Sequence, residues 1–179
     1  HHMQTSSSIF RLVGQSRIES EENSKERINT MNTQFSKFLQ IGIIVEDLDA
    51  AVRHYSEDYG IGPWRVGEID SEKLPAFTIN GKPGKLLNKC AFCDIYGFEL
   101  ELIQPISESP YKTWFDEHGA GIHHIAVITR DPFNKVIKEH KKLTGKDPWL
   151  WCKDETIGME FAYLDLVKEL GLFLEIYNE

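Results

Sequence analysis

GAGIHHIAVITRD, Gly119 to Asp131, sets two histidines side by side at the head of an apolar, β-branched run. Neighbouring side chains on a strand point to opposite faces, so regular alternation lets only one of them face a given pocket. Ile122 to Thr129 reads as that strand, Asp131 as the N-cap of a following helix and Pro132 as its first residue. Phe133, Val136, Ile137, His140 and Leu143 then recur at helical spacing, Gly145 supplies the stop, and the chain runs on through Pro148-Trp149.

The same order occurs once before. Phe38 to Val45 is a short β-branched strand, Asp47 a good N-cap, and Leu48, Ala51, Val52, Tyr55 and Tyr59 form a helical stripe stopped by Gly60. Pro63-Trp64 follows it as Pro148-Trp149 follows the later helix. Overlaying the halves matches Gln40 to His124 at an offset of 84 residues and the Pro-Trp pairs at 85. Each half closes in a similar strand, Phe98 to Gln104 and Leu172 to Asn178, which matches Glu101 to Glu175 at an offset of 74. Residues 64–96 and 149–166 leave room for two further strands in each half. The expected fold is therefore α+β, with two βαβββ modules, 38–104 and 122–179, joined by a connector over 105–121. Related by an approximate two-fold axis, they form one curved sheet.

Residues 1–37 differ in kind. His1-His-Met3 looks like an expression-tag remnant, and the polar arm up to residue 37 has little apolar periodicity, with Met31 a candidate natural start. A net charge of −8 argues against nucleic-acid and anionic-membrane partners, and the short basic loop over residues 81–89 is too small to reverse it. No apolar run approaches the ~20 residues of a membrane span. Three cysteines, Cys90, Cys93 and Cys152, form no disulfide framework, which fits a reducing cytoplasm. Cys90-Ala-Phe-Cys93 has no second pair to complete a zinc site, and on a strand its two sulfurs face opposite ways. Gly60-Ile-Gly62 ends a helix instead of joining a strand to one, so it is no nucleotide loop.

The duplication gathers four side chains about its axis: Gln40, Glu101, His124 and Glu175. An amide oxygen, an imidazole and two carboxylates suit an octahedral divalent cation better than a thiolate-type zinc site. His124 is then the ligand candidate, and His123 faces away as a packed or surface imidazole. Glu99 and Glu101 share one strand face and Leu100 and Leu102 the other, leaving Glu99 either on a solvated face or near the site. Glu175, inside the apolar run Leu172 to Tyr177, needs a partner. Trp64, Trp114, Trp149 and Trp151 are candidates to line an aromatic pocket.

Over residues 38–179 the chain resembles the vicinal oxygen chelate superfamily, which holds glyoxalase I, methylmalonyl-CoA epimerase, extradiol dioxygenases and bleomycin-resistance proteins. The segments Gly42 to Leu48, Glu101 to Pro105, Gly121 to Ala126 and Glu169 to Glu175 look most like the epimerase branch. The resemblance implies one divalent ion (Co, Ni, Zn, Mn or Mg) on Gln40, Glu101, His124 and Glu175. It also implies enolisation of a carbonyl substrate, an acyl-CoA or an aromatic or ring ketone, with Glu175 or Glu101 moving the proton, and a homodimer as the usual assembly. The epimerases carry a further, non-ligand glutamate on the third strand of the first module. Here Leu86 to Asp94 has none, and Lys89 and Asp94 are its only ionisable groups besides cysteines. A glyoxalase-type lyase and a non-catalytic binding protein of the same fold are the alternatives. An extradiol dioxygenase ranks last, because it needs two histidine ligands.

Overall fold

The computed structural model describes residues 35–179. The tag remnant, Met31 and the arm to residue 34 lie outside them. Strand β1 (Phe35–Ile44) starts three residues before the sequence pattern suggests. Helix α1 (Leu48–Tyr59) follows as expected: Asp47 accepts from the amide of Ala50, and Gly60 stops it in the left-handed region at φ 66°. Then come β2 (Arg65–Asp70), a 3₁₀ turn at Ser71–Lys73, β3 (Ala76–Ile79), β4 (Leu87–Ile95) and β5 (Phe98–Pro105). The connector holds a helix that strand-centred reading overlooked, α2 (Pro110–His118), with Ser109 as its cap and proline in its first turn.

The second half runs β6 (Gly121–Thr129), α3 (Phe133–Thr144), β7 (Leu150–Asp154), β8 (Met159–Leu166), the short α4 (Val167–Leu170) and β9 (Leu172–Tyr177). Asp131 does not cap α3. The helix begins one residue later, with Pro132 at the cap position and no side-chain cap bond. Asp131 instead holds Lys135 at 2.9 Å, and its carbonyl accepts from Thr129 Oγ1.

All nine strands form one mixed, curled half-barrel sheet, in the order β2-β4-β5-β1-β6-β9-β8-β7-β3. β1 and β6, the first strands of the two halves, meet antiparallel at its centre, and each pairs in parallel with the last strand of its own half. β3 breaks the symmetry. It comes from the first half but pairs with β7, at the far edge of the second. Only residues 71–75 join it to β2 at the opposite edge. Five residues reach about 20 Å, whereas a flat nine-stranded sheet would hold its edges about 38 Å apart. The sheet has to curl.

Curling sorts the apolar residues into three clusters. α1 covers the outer face of the first half through Leu48, Ala91 and Leu102, and α3 covers the second through Phe133, Val136, Leu174 and Ile176. The inner face packs Ile44, Leu86, Cys90, Ile103, Leu150 and Phe173, with Tyr111 on α2 joining them. Cys90 lies in this inner cluster and Ala91 in the outer one, the alternation expected of their strand. The tryptophans divide differently from expectation. Trp64 packs outside against α1 and Trp151 outside against α3, while Trp114 and Trp149 pack inside. The matched Pro-Trp pairs therefore end on opposite faces.

The outer clusters hold the helices to the sheet, so Leu102→Ala should cost about 2–5 kcal/mol in urea unfolding. Leu143→Ala, at a site 85% exposed, should stay within about 0.5 kcal/mol.

Candidate metal centre

Four central strands deliver the polar groups of the inner face. Ladder pairing aligns Glu101, Gly42, His124 and Phe173 in one row across β5, β1, β6 and β9, and Glu99, Gln40, Ala126 and Glu175 in the next. His124 Nε2 lies 3.0 Å from Gln40 Oε1, 3.1 Å from Glu175 Oε2 and 3.3 Å from Glu101 Oε2. Glu101, His124 and Glu175 each offer an atom within 4.8 Å of the others'. All four residues are at most 5% exposed.

One imidazole nitrogen carries at most one proton, yet three acceptor oxygens crowd this one. Glu175 Oε2 is buried and, though 3.1 Å from His124 Nε2, accepts no well-aligned hydrogen bond. Burial pushes the Glu101 carboxyl up from its usual range. Burial would pull the His124 imidazole down, but Glu175 and Glu101 hold it up at about 9. The donor set fits a divalent cation. Adjacent ligands of an octahedral ion at about 2.1 Å stand about 3.0 Å apart, and two carboxylates would neutralise its charge in a place where unpaired charge is costly.

The surrounding residues orient this set. Gln40 Nε2 donates to Glu99 Oε1 at 2.7 Å, which leaves the amide oxygen to face the centre. Glu99 in turn accepts from Arg65 at 2.8 Å. Glu99 is thus neither idle nor simply solvated; it fixes which end of the glutamine points inward.

His123 departs from expectation. It does not face away: its Nδ1 is 3.0 Å from His124 Nδ1. Between the pairs Gly42–His124 and Ile43–Ile122, β6 carries one extra residue, His123, so alternation fails there. β1 carries a matching extra residue, Leu39, between the pairs Phe38–Val127 and Gln40–Ala126. Leu39 and His123 are equivalent in the repeat, so each half places a bulge just before its candidate ligand. His123 is fully buried, stacked on Phe173 and ringed by Tyr111, Trp149 and Tyr163. Burial and the neighbouring His124 lower its pKa well below the usual value. With a cation on His124 Nε2, a neutral His123 would accept the Nδ1 proton of His124 across this 3.0 Å contact.

Gly42 is the second residue that sequence reasoning missed. A Cβ there would lie 1.9 Å from His124 Cε1, so the ring occupies space only a glycine leaves. The repeat carried the signal: Gly42 matches Ala126, and each small residue pairs across the ladder with the other half's candidate ligand.

Residues 39–163 match the Glyoxalase/Bleomycin resistance protein/Dioxygenase superfamily. No functionally curated protein matches significantly. Among solved structures, a hypothetical protein from Bacillus halodurans is similar at a TM-score of 0.55 and 26% identity, over 80% of this chain and 94% of that one. Methylmalonyl-CoA epimerase from Mycobacterium tuberculosis is similar at 0.53 and 18%, covering 83% and 91% of the two chains. A Streptomyces coelicolor methylmalonyl-CoA epimerase in complex with 2-nitronate-propionyl-CoA is similar at 0.54 and 22%, covering 81% and 98%.

Gly42→Ala should lower the affinity for Co²⁺, titrated by its visible absorption, more than tenfold by displacing His124. His123→Leu should lower it about 10- to 100-fold, the usual effect of losing a ligand's hydrogen-bond partner.

Proposed function

The chain belongs to the glyoxalase/bleomycin resistance protein/dioxygenase superfamily, and on that premise we propose that it is a metal-dependent isomerase or epimerase that enolises a carbonyl substrate. One observation carries the reading: two carboxylates, an amide oxygen and an imidazole converge at 3.0–3.3 Å in a buried setting, with one carboxylate oxygen accepting no well-aligned hydrogen bond. A divalent ion held by Gln40, Glu101, His124 and Glu175 would supply Lewis-acid charge beside the substrate carbonyl, making the adjacent C–H more acidic.

The chain's own residues then limit how the proton moves. Glu101 and Glu175 both border an inner cavity of about 170 Å³. Glu99 is occupied by Gln40 and Arg65. On β4, Lys89 pairs with Asp49 and Asp94 pairs with Arg65, so neither faces the cavity. The proton acceptor is therefore Glu175 or Glu101, the two carboxylates that border the cavity. The nearby Tyr163 and Tyr177 hydroxyls stay protonated, held well above their usual pKa by burial and by Glu175, and serve as donors.

A second reading, a glyoxalase-type lyase, gains support from the same gap. With no carboxylate from β4 bordering the cavity, one base both removes and returns the proton, which suits transfer between adjacent carbons better than inversion at one. An open cleft bordered by Gln40, Glu99 and Tyr177 leaves room for a longer appendage such as an acyl-CoA. Among the described residues no helix is long and apolar enough to cross a membrane. Cytoplasmic location and homodimerisation belong to this proposal, the latter checked by light scattering.

The test is hydrogen exchange in D₂O with a panel of acyl-CoA and α-hydroxy-carbonyl compounds. Metal-loaded protein should exchange the proton beside the carbonyl, and Glu175→Gln should slow this by about 10²–10⁴-fold. Exchange at the same rate without metal would overturn the reading.

A further inference from the structure

Asn88 is 2% exposed, lies on β4, and its Oδ1 has no hydrogen-bond partner. It borders the inner cavity together with Glu101 and Glu175. A buried amide oxygen left unpaired is costly, and native structures keep such groups where something else completes them. The rest of the wall is apolar or aromatic, with Phe77, Phe92, Tyr111, Leu150, Phe161 and Tyr163 prominent. Among the described residues, no lysine, arginine or histidine side chain borders it, and its charged groups are the two glutamates.

From this we propose that the cavity is the specificity pocket of the site and takes an uncharged, ring-sized group bearing one hydrogen-bond donor, anchored on Asn88. This rests on the proposed function only for what happens beside the ring, not for the pocket itself. Size supports it, since an apolar cavity of about 150 Å³ accommodates a benzene ring and this one measures about 170 Å³. Charge supports it as well. An anionic group in the pocket would find two carboxylates and no cationic side chain on the wall, the nearby His124 imidazole being already engaged by both, so its desolvation would go uncompensated. A neutral donor would satisfy the amide and cost nothing of that kind. The pocket thus rejects an acyl group that carries its own free carboxylate into it, and accepts an aryl or cyclic one with a hydroxyl or N–H.

The experiment uses metal-free protein, so that its outcome is independent of the metal reading, and three probes: phenol, toluene and benzoate. Phenol should bind and shift the Asn88 side-chain amide resonance in ¹⁵N-labelled protein, with ring-to-amide cross-relaxation. Toluene should bind without that shift, and benzoate should bind more weakly than phenol. Asn88→Leu should weaken phenol about fivefold, the worth of one neutral hydrogen bond, and leave toluene unchanged. If the variant does not fold, the wild-type amide shift and the order of the three probes still decide the matter. Benzoate tighter than phenol, phenol binding with the Asn88 amide unmoved, or no ring compound bound at all would each overturn the proposal. Titrating Co²⁺ into the same samples reports separately on the metal centre. Loss of ring binding with Co²⁺ affinity intact refutes the pocket alone, and the reverse refutes the metal alone.

Discussion

Two carboxylates buried beside one another must find positive charge, and the architecture follows from that need. Glu101 and Glu175 come from strands on either side of the central pair, one from each half of the chain. His124 stands between them within 3.3 Å of both. Protonated, it is a single charge against two; a divalent cation with neutral His124 would balance them. Either way each half supplies one of the two carboxylates and the second half the imidazole between them, so the pairing exists only while the halves are docked. The centre therefore also joins the duplicated modules, a role usually left to apolar packing alone.

Around it, the chain settles questions of orientation by secondary partners. An amide would be a good ligand only with its oxygen toward the centre, and Glu99 ensures that orientation by taking the nitrogen, itself held by Arg65. An imidazole would be a ligand only with the correct nitrogen bare, and His123, 3.0 Å from the other nitrogen, is placed to take that one's proton. Both devices lie one step from the centre, and each costs the fold something: a charged chain reaching in from the surface in one case, a fully buried histidine in the other.

Much of this was legible in the sequence. The duplication singled out residues 40, 101, 124 and 175 because ladder registry places matched positions at matched points on the sheet. It failed where a single residue changes the local count. One extra residue in β6 turns His123 toward its neighbour. Pattern reading assumes unbroken alternation, and bulges break it without any compositional mark. β3 was invisible for a different reason. Its four residues pair with a strand more than seventy positions later, a contact that no local period reports. Asn88 gave no sign either, since its importance lies in an unmade bond that only the packed interior reveals.

The five-residue passage from β2 to β3 has a further consequence. Ile69, Leu74 and Phe77, at and around it, border the inner cavity. It is pinned on one side by Ser71, which exchanges hydrogen bonds with the backbone of Leu86, and on the other by Asn80, whose amide donates to the carbonyl of Trp149. A clasp fastened at both rims forbids the halves from gaping like a shell. Traffic to the interior must then pass through an open end of the half-barrel and not through a gap between the two repeats.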